Sequence, residues 1–261
     1  MRLAAALMFS GVAVSAALAA ELKSETVRDF DRYIHNTEAR LDERLRPGGK
    51  FLWVDEQSQR ARAVRQGQLL IENLGGSGPA AVTGGLIHDW VGAVFIPGVT
   101  LARTLALMQD YDRNEDNYKP EVLRSRLVSR HGNDFKVYLR LMKHEVVTVI
   151  LDTEYDVRYF PLDSKRCRSR AYSSRIQEVE NAGKPDERLR PVGEDNGYLW
   201  RLYSYWRFQE RDGGVYVECE AISLTRAIPG GLGWLIAPIV TKLPRQSLAS
   251  TLLETRAALA R

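Results

Sequence analysis

Histidine and cysteine are scarce, with four of one and two of the other in 261 residues. So little cysteine excludes a disulfide scaffold. The four histidines, His35, His88, His131 and His144, are scattered. His144-Glu145 begins a zinc-protease pattern, but position 148 is Thr, so the second imidazole is missing. No metal and no cofactor is expected. Neither charge sign dominates: 37 Lys+Arg against 33 Asp+Glu leaves +4, a balance that disfavours nucleic acid as the main partner. Apolar residues make up 44% and charged residues 27%, an ordinary globular composition that excludes wholesale disorder and collagen-like structure. No internal repeat appears, and no composition break marks a second domain.

The long apolar run lies at the start. Leu3 to Leu18 is apolar or small except for Ser10 and Ser15, and Ala17-Leu18-Ala19 fits a small-x-small cleavage rule. Residues 1–19 read as a secretory signal peptide, with the mature chain starting near Ala20. No Cys follows the run, so a lipoprotein anchor is not expected. The chain would then be periplasmic or secreted. In an oxidising compartment Cys167 and Cys219 raise a disulfide question. Both fall in strand-like segments that are not expected to be neighbours, so both are expected to be free and at least partly buried.

Beyond the leader, Leu22 to Leu45 carries Val27, Phe30, Ile34, Leu41 and Leu45 at helical spacing, with Ser24 as N-cap and Arg46-Pro47-Gly48-Gly49 as terminator. This is either a partner-binding helix or one packed on the domain; with its linker it occupies 20–62. The domain proper spans 63–261. It opens with a strand at Ala63–Leu74, a Gly-rich loop at Gly75–Gly85, an apolar stretch at Leu86–Val94 and a helix at Val99–Gln109. Six strand patterns follow: Val122–Ser129, Lys136–Lys143, Val146–Tyr159, Arg166–Val179, Gly197–Gln209 and Val215–Thr225. Tight turn signals between them favour antiparallel hairpins. Leu232–Ala260 reads as a long helix, kinked or split by Pro238 and Pro244. The order predicts an α+β fold with helices against an antiparallel sheet.

Alternation assigns the strand faces. Trp200, Leu202, Trp206 and Phe208 share one side of their strand, and Arg201, Tyr203, Tyr205 and Arg207 the other. Glu218 and Glu220 oppose Val217, Cys219 and Ala221. Asp152, Glu154 and Asp156 are expected to pair with Arg166, Arg168 and Arg170, and Arg201 and Arg207 with Glu218 and Glu220. Such groups either form a solvated outer face or line a cavity.

The run from Gly197 to Phe208 (GYLWRLYSYWRF), then Gly213 to Arg226 (GGVYVECEAISLTR), resembles the last two strands of the START-like (SRPBCC) superfamily. That group includes lipid-transfer domains, polyketide cyclases and birch-pollen-type allergens. Ile228-Pro229-Gly230-Gly231 and Leu243-Pro244-Arg245-Gln246-Ser247-Leu248 resemble the entry to, and middle of, its C-terminal helix. The resemblance covers roughly 63–260. It implies a helix-grip fold, with a seven-stranded curved antiparallel sheet around the C-terminal helix and an apolar tunnel between them. The ligand would be a hydrophobic small molecule or lipid. The expected lining is Trp90, Tyr155, Trp200, Arg201, Tyr203, Trp206, Glu218, Glu220, Trp234 and Ile239.

Catalytic motifs are weak. Gly76-Ser77-Gly78-Pro79-Ala80-Ala81 mimics a dinucleotide fingerprint, but Pro79 and the lack of βαβ units argue against it. His88-Asp89 is the best acid–base candidate, with a structural histidine as its alternative. Trp234, Leu235, Ile236 and Ile239, flanked by Lys242 and Arg245, could touch an anionic membrane, or simply pack. Three functions follow: a carrier of a hydrophobic ligand in the cell envelope, a cyclase or hydrolase using His88 with Glu218 and Glu220, or an interaction protein with a filled core.

Overall fold

A computed structural model describes residues 20–144, 147–228 and 233–261; at 233–236 and 238–240 the description is of the backbone. The leader assigned to 1–19 lies outside the described residues. In chain order the elements are β1 (Ala20–Glu21), α1 (Ser24–Glu43), α2 (Ser58–Arg65), β2 (Leu70–Asn73), β3 (Ala80–Val82), β4 (Gly85–Pro97), α3 (Leu101–Gln109) and α4 (Asn114–Asn117). Then come β5 (Val122–His131), β6 (Asp134–His144), β7 (Thr148–Pro161), β8 (Arg166–Glu180), β9 (Arg188–Leu189), β10 (Glu194–Asp195), β11 (Arg201–Arg211), β12 (Gly214–Arg226) and α5 (Gly233–Leu259).

The α+β reading holds. One antiparallel sheet runs β2-β4-β12-β11-β8-β7-β6-β5, and α5 crosses one face of it. Ten strands rather than seven take part: eight on that path, with β3 beside β4 and β9 beside β8. The hairpin turns are where turn chemistry puts them. Between β11 and β12 only Asp212 and Gly213 intervene, both at positive φ (58° and 80°). That is the conformation of a two-residue type I′ turn, and Asp-Gly is a preferred pair for it.

Three expectations need correction, and one stretch left unassigned is resolved. The strand assigned to Ala63–Leu74 is instead the end of α2, a reversal at Gly67 (φ 92°) and the short edge strand β2. The apolar stretch Leu86–Val94 is the long strand β4, second from the β2 edge and covered on both faces. A doubly covered strand shows a continuous apolar run rather than alternation. Ser24 is not a cap: Lys23 precedes the helix in extended conformation and no side chain caps α1. Finally, α5 is one unbroken helix through both prolines, about 40 Å long at 1.5 Å per residue.

The sheet has two covered faces. On the inner face Val94, Ile96, Val137, Val157, Phe208 and Val217 pack against Leu248, Leu252 and Leu259 of α5. On the outer face Phe30, Ile34 and Leu41 of α1 pack against Ile87, Trp200, Ile222 and Leu224. Residues 51–54 and Val64 cover the rest with Val91, Phe95 and Tyr216. A short ladder, Ala20 with Asp195 and Glu21 with Glu194, ties the start of α1 to the long loop before β11.

The predicted cross-strand ion pairs do not form. Register sets Arg170 opposite Arg158 and Arg168 opposite Phe160. The hairpin after Pro161 is tight, so Arg166–Arg170 face residues nearer the turn than the acidic run. Asp152 instead pairs with Arg140 at 2.7 Å and Glu154 with Arg175 at 2.5 Å.

Candidate ligand cavity

A cavity of about 290 Å³ lies between α5 and the inner face. Leu139, Leu141, Val149, Leu151 and Val157 of β6 and β7 form one wall, and Leu243, Pro244 and Leu248 of α5 form the lid. The space exists because inward positions on the central strands are small: Ser169 and Ala171 on β8, Ser204 on β11, and Cys219, Ala221 and Ser223 on β12. Larger residues there would meet α5 and close the gap.

Polar groups are few and placed at distinct points. Tyr111 and Tyr159 share a hydrogen bond of 3.0 Å, and Tyr118 pairs with Thr255 at 3.0 Å. Lys143 forms an ion pair with Glu121 and faces Glu254 in the lining. Burial pushes its ammonium down to about 8, with Glu254 opposing. Two buried hydroxyls, Tyr155 Oη and Ser223 Oγ, have no hydrogen-bond partner. Burial pushes the Tyr155 phenol up to about 12, so it stays an intact donor at neutral pH. An apolar chamber with a few unspent polar atoms suits a mostly hydrophobic ligand with one polar feature.

The residues predicted to line a cavity divide between the two faces of the sheet, and Trp200, expected beside Leu202, Trp206 and Phe208, falls on the other face because it precedes β11 and does not follow its alternation. Tyr155 and Trp206 border it. Trp90 packs in the same inner core, but is not among the described lining residues. Trp200, Tyr203, Arg201, Glu218 and Glu220 sit on the outer face, where α1 and residues 51–54 cover them or pack beside them. Glu218 accepts from Trp53 N at 2.6 Å and from Arg44 at 3.3 Å, and Glu220 binds Arg40 at 2.5 Å. Neither meets Arg201, whose guanidinium bonds the Trp200 carbonyl at 2.8 Å. The side chains of Trp234 and Ile239 lie outside the described residues.

His88 and Asp89, being adjacent on β4, point to opposite faces. His88 faces inward beside the Thr225 hydroxyl at 3.0 Å, and burial pushes it down to about 4, so it is neutral. Asp89 faces outward and accepts from Tyr33 at 2.8 Å. The sheet pleat therefore separates the proposed acid–base pair. Cys167 and Cys219 are free and buried; Cys219 borders the cavity.

The sequence reading expected the C-terminal helix as the cover but missed Lys143, Glu254 and Ser223, and the lid positions Leu243, Pro244 and Leu248. The signal was present in the small inward residues Ala171, Cys219, Ala221 and Ser223, which mark where volume is withheld from the core.

No protein-family model and no curated protein matches the chain. Solved structures similar to it include a STAR-related lipid transfer protein from Xanthomonas axonopodis, at 17% identity over 71% of this chain and 98% of that one, TM-score 0.49. The Zhui aromatase/cyclase from Streptomyces sp. R1128 aligns at 10% identity over 67% and 94%, TM-score 0.46. Human STARD10 aligns at 10% identity over 76% and 79%, TM-score 0.43. These are helix-grip folds of the START-like kind.

Proposed function

We propose that the chain binds a hydrophobic small molecule or lipid non-covalently in the cavity under α5, and that it does so in the cell envelope. One observation supports the binding role above all: a chamber of about 290 Å³ lined mainly by aliphatic and aromatic side chains, yet holding unpaired hydroxyls at Tyr155 and Ser223. An unmet buried hydroxyl costs about 1–3 kcal/mol, and a ligand oxygen or nitrogen would recover part of that. Removing apolar surface from water supplies the affinity, at roughly 25 cal/mol per Å². The hydroxyls would set the ligand's orientation. The envelope location rests on the leader-like segment 1–19 alone.

Native mass spectrometry with organic extraction tests the binding role, on chain starting at Ala20 and purified from the periplasm. A released small molecule, or uptake from a mixed lipid pool, is the expected result. A clean apo mass with no uptake would overturn it. Secretion is tested separately by fractionating cells that express the full chain: processing at Ala19 with the product in the periplasm is expected, and an intact cytoplasmic chain would refute it.

A further inference from the structure

A second recess, of about 100 Å³, lies on the outer face between the sheet and α1. Arg168 and Arg170 of β8 and Arg207 of β11 line it, and Glu38 and Asp42 of α1 form its opposite wall. Register places Arg207 directly opposite Arg168. Like charges facing across a strand pair destabilise a sheet unless something compensates. Here compensation is incomplete. Arg207 is 3% exposed, and its Nη2 bonds the Leu41 carbonyl at 3.1 Å. Its Nε is buried with no partner, and the same holds for Arg168 Nε.

The nearby carboxylates are already engaged. Glu38 accepts from the hydroxyls of Tyr172 and Tyr205. Asp42 takes Arg168 Nη1 at 3.1 Å. Glu218, opposite Arg207 on β12, is held by Arg44 and the backbone of residues 53 and 54. Burial pushes the Arg207 guanidinium down to about 10; Glu218 opposes this, and Arg44 and Arg168 add to it. Arg168 and Arg170 both stack on Phe160, at 4.7 and 5.6 Å, which restrains their heads near the recess.

We propose that this recess is a binding site for a phosphate-class oxyanion, held by Arg168, Arg170 and Arg207 between the sheet and α1. Guanidinium N–H groups match phosphate oxygens in geometry and charge. The volume admits a single phosphate group and exceeds what one water needs. An anion that binds only the folded site raises stability by mass action, with the donors coming from the sheet arginines and not from the α1 wall, which carries Glu38 and Asp42. The three arginines are on the opposite face of the sheet from the ligand cavity, and Ser169 and Trp206 border both spaces.

Inorganic phosphate is titrated into the chain from Ala20 at constant ionic strength, with chloride as reference, and followed by calorimetry and phosphorus NMR line width. Saturable binding is expected, weakened at least tenfold in Arg170→Gln and in Arg168→Gln. Arg170 and Arg168 are only partly buried, so these variants test the site even if Arg207→Gln fails to fold. The source is resolved by comparing glycerol phosphate with vesicles containing phosphatidic acid. Binding of the soluble esters marks a free anion, and binding of the vesicles alone marks a lipid headgroup. No saturation by tens of millimolar phosphate and no vesicle binding would overturn the proposal. So would binding that all three variants leave unchanged, since the ion would then sit elsewhere.

Discussion

Asp89→Asn is expected to stabilise the protein at neutral pH, and the gain should vanish in acid. Asp89 is 2% exposed, and Oδ1 has no hydrogen-bond partner. Burial, then the neighbouring Glu220, pushes its carboxyl from 3.8 up to about 7, against the opposing effects of Tyr33 and Arg40. Arg40 spends its charge on Glu220 at 2.5 Å and stands 4.0 Å from Asp89. Below pH 3.8 both folded and unfolded chains hold the proton, and no penalty exists. Above it the unfolded chain ionises while the folded one does not, so stability falls as pH rises. The fall ends near pH 7, where the folded group ionises too. At 1.36 kcal/mol per pH unit this costs ~3 kcal/mol between pH 4.5 and 7.5. Asparagine keeps the acceptor for Tyr33 and cannot ionise. Urea unfolding of both proteins at the two pH values measures the difference directly, and subtracting wild type cancels buried acids remote from Asp89, such as Glu178 and Asp195. A mutant-minus-wild-type difference that stays flat within ~0.5 kcal/mol would refute the reasoning. A difference that shrinks with rising pH would show instead that Arg40 holds Asp89 ionised. Glu220→Gln should lower the Asp89 midpoint, visible as an earlier end to the loss.

Glu218→Ala leaves Arg44 and the Trp53 and Val54 amides without their buried acceptor, and should cost ~3–5 kcal/mol in denaturant unfolding. Tyr155→Phe removes an unpaired buried hydroxyl. The ligand-free protein should match or exceed wild-type stability by up to ~1 kcal/mol, while affinity for a ligand with a polar end should fall about tenfold; equal affinity would show that the hydroxyl makes no contact. Ala171→Trp places an indole in the cavity and should abolish uptake of a hydrophobic probe, at a packing cost of ~1–3 kcal/mol. Gly214→Ala would bring a Cβ to 2.3 Å from the Ile96 carbonyl oxygen. Backbone cannot yield as a side chain does, so a loss of at least ~2 kcal/mol is expected in thermal unfolding.

Hairpin boundaries were legible because turn residues announce themselves: Gly132, Asp212 and Gly213 sit where reversal requires positive φ. The C-terminal helix was legible from its length and apolarity. Strand faces were legible as sets, except for Trp200 just ahead of β11, but not as inside or outside. Alternation says that Glu218 and Glu220 lie opposite Cys219 and Ala221; it does not say which set meets α5. The aromatic side of the β11 pattern suggested a lining, whereas the actual lining is built from residues too small to draw notice. Glu218 and Glu220 are buried by α1, an element that sequence treats as an appendage. That burial follows from contacts between residues 174 and 180 apart, which no local pattern encodes. The same limit hid β4, whose two covers come from opposite ends of the chain.

The docking of α1 sets an order on folding. A growing chain presents Phe30, Ile34 and Leu41 long before β12 exists to receive them, and Arg40 waits 180 residues for Glu220. Most of the stability of a helix such as α1 comes from packing its apolar face, not from the helix alone. Such distant partners also slow assembly, because loop closure precedes any gain from contact. The first helix synthesised is therefore among the last to settle. Until it does, the outer face of β4, β11 and β12 stays open to chaperones and to other chains, so the arrival of α1 marks the end of that exposure.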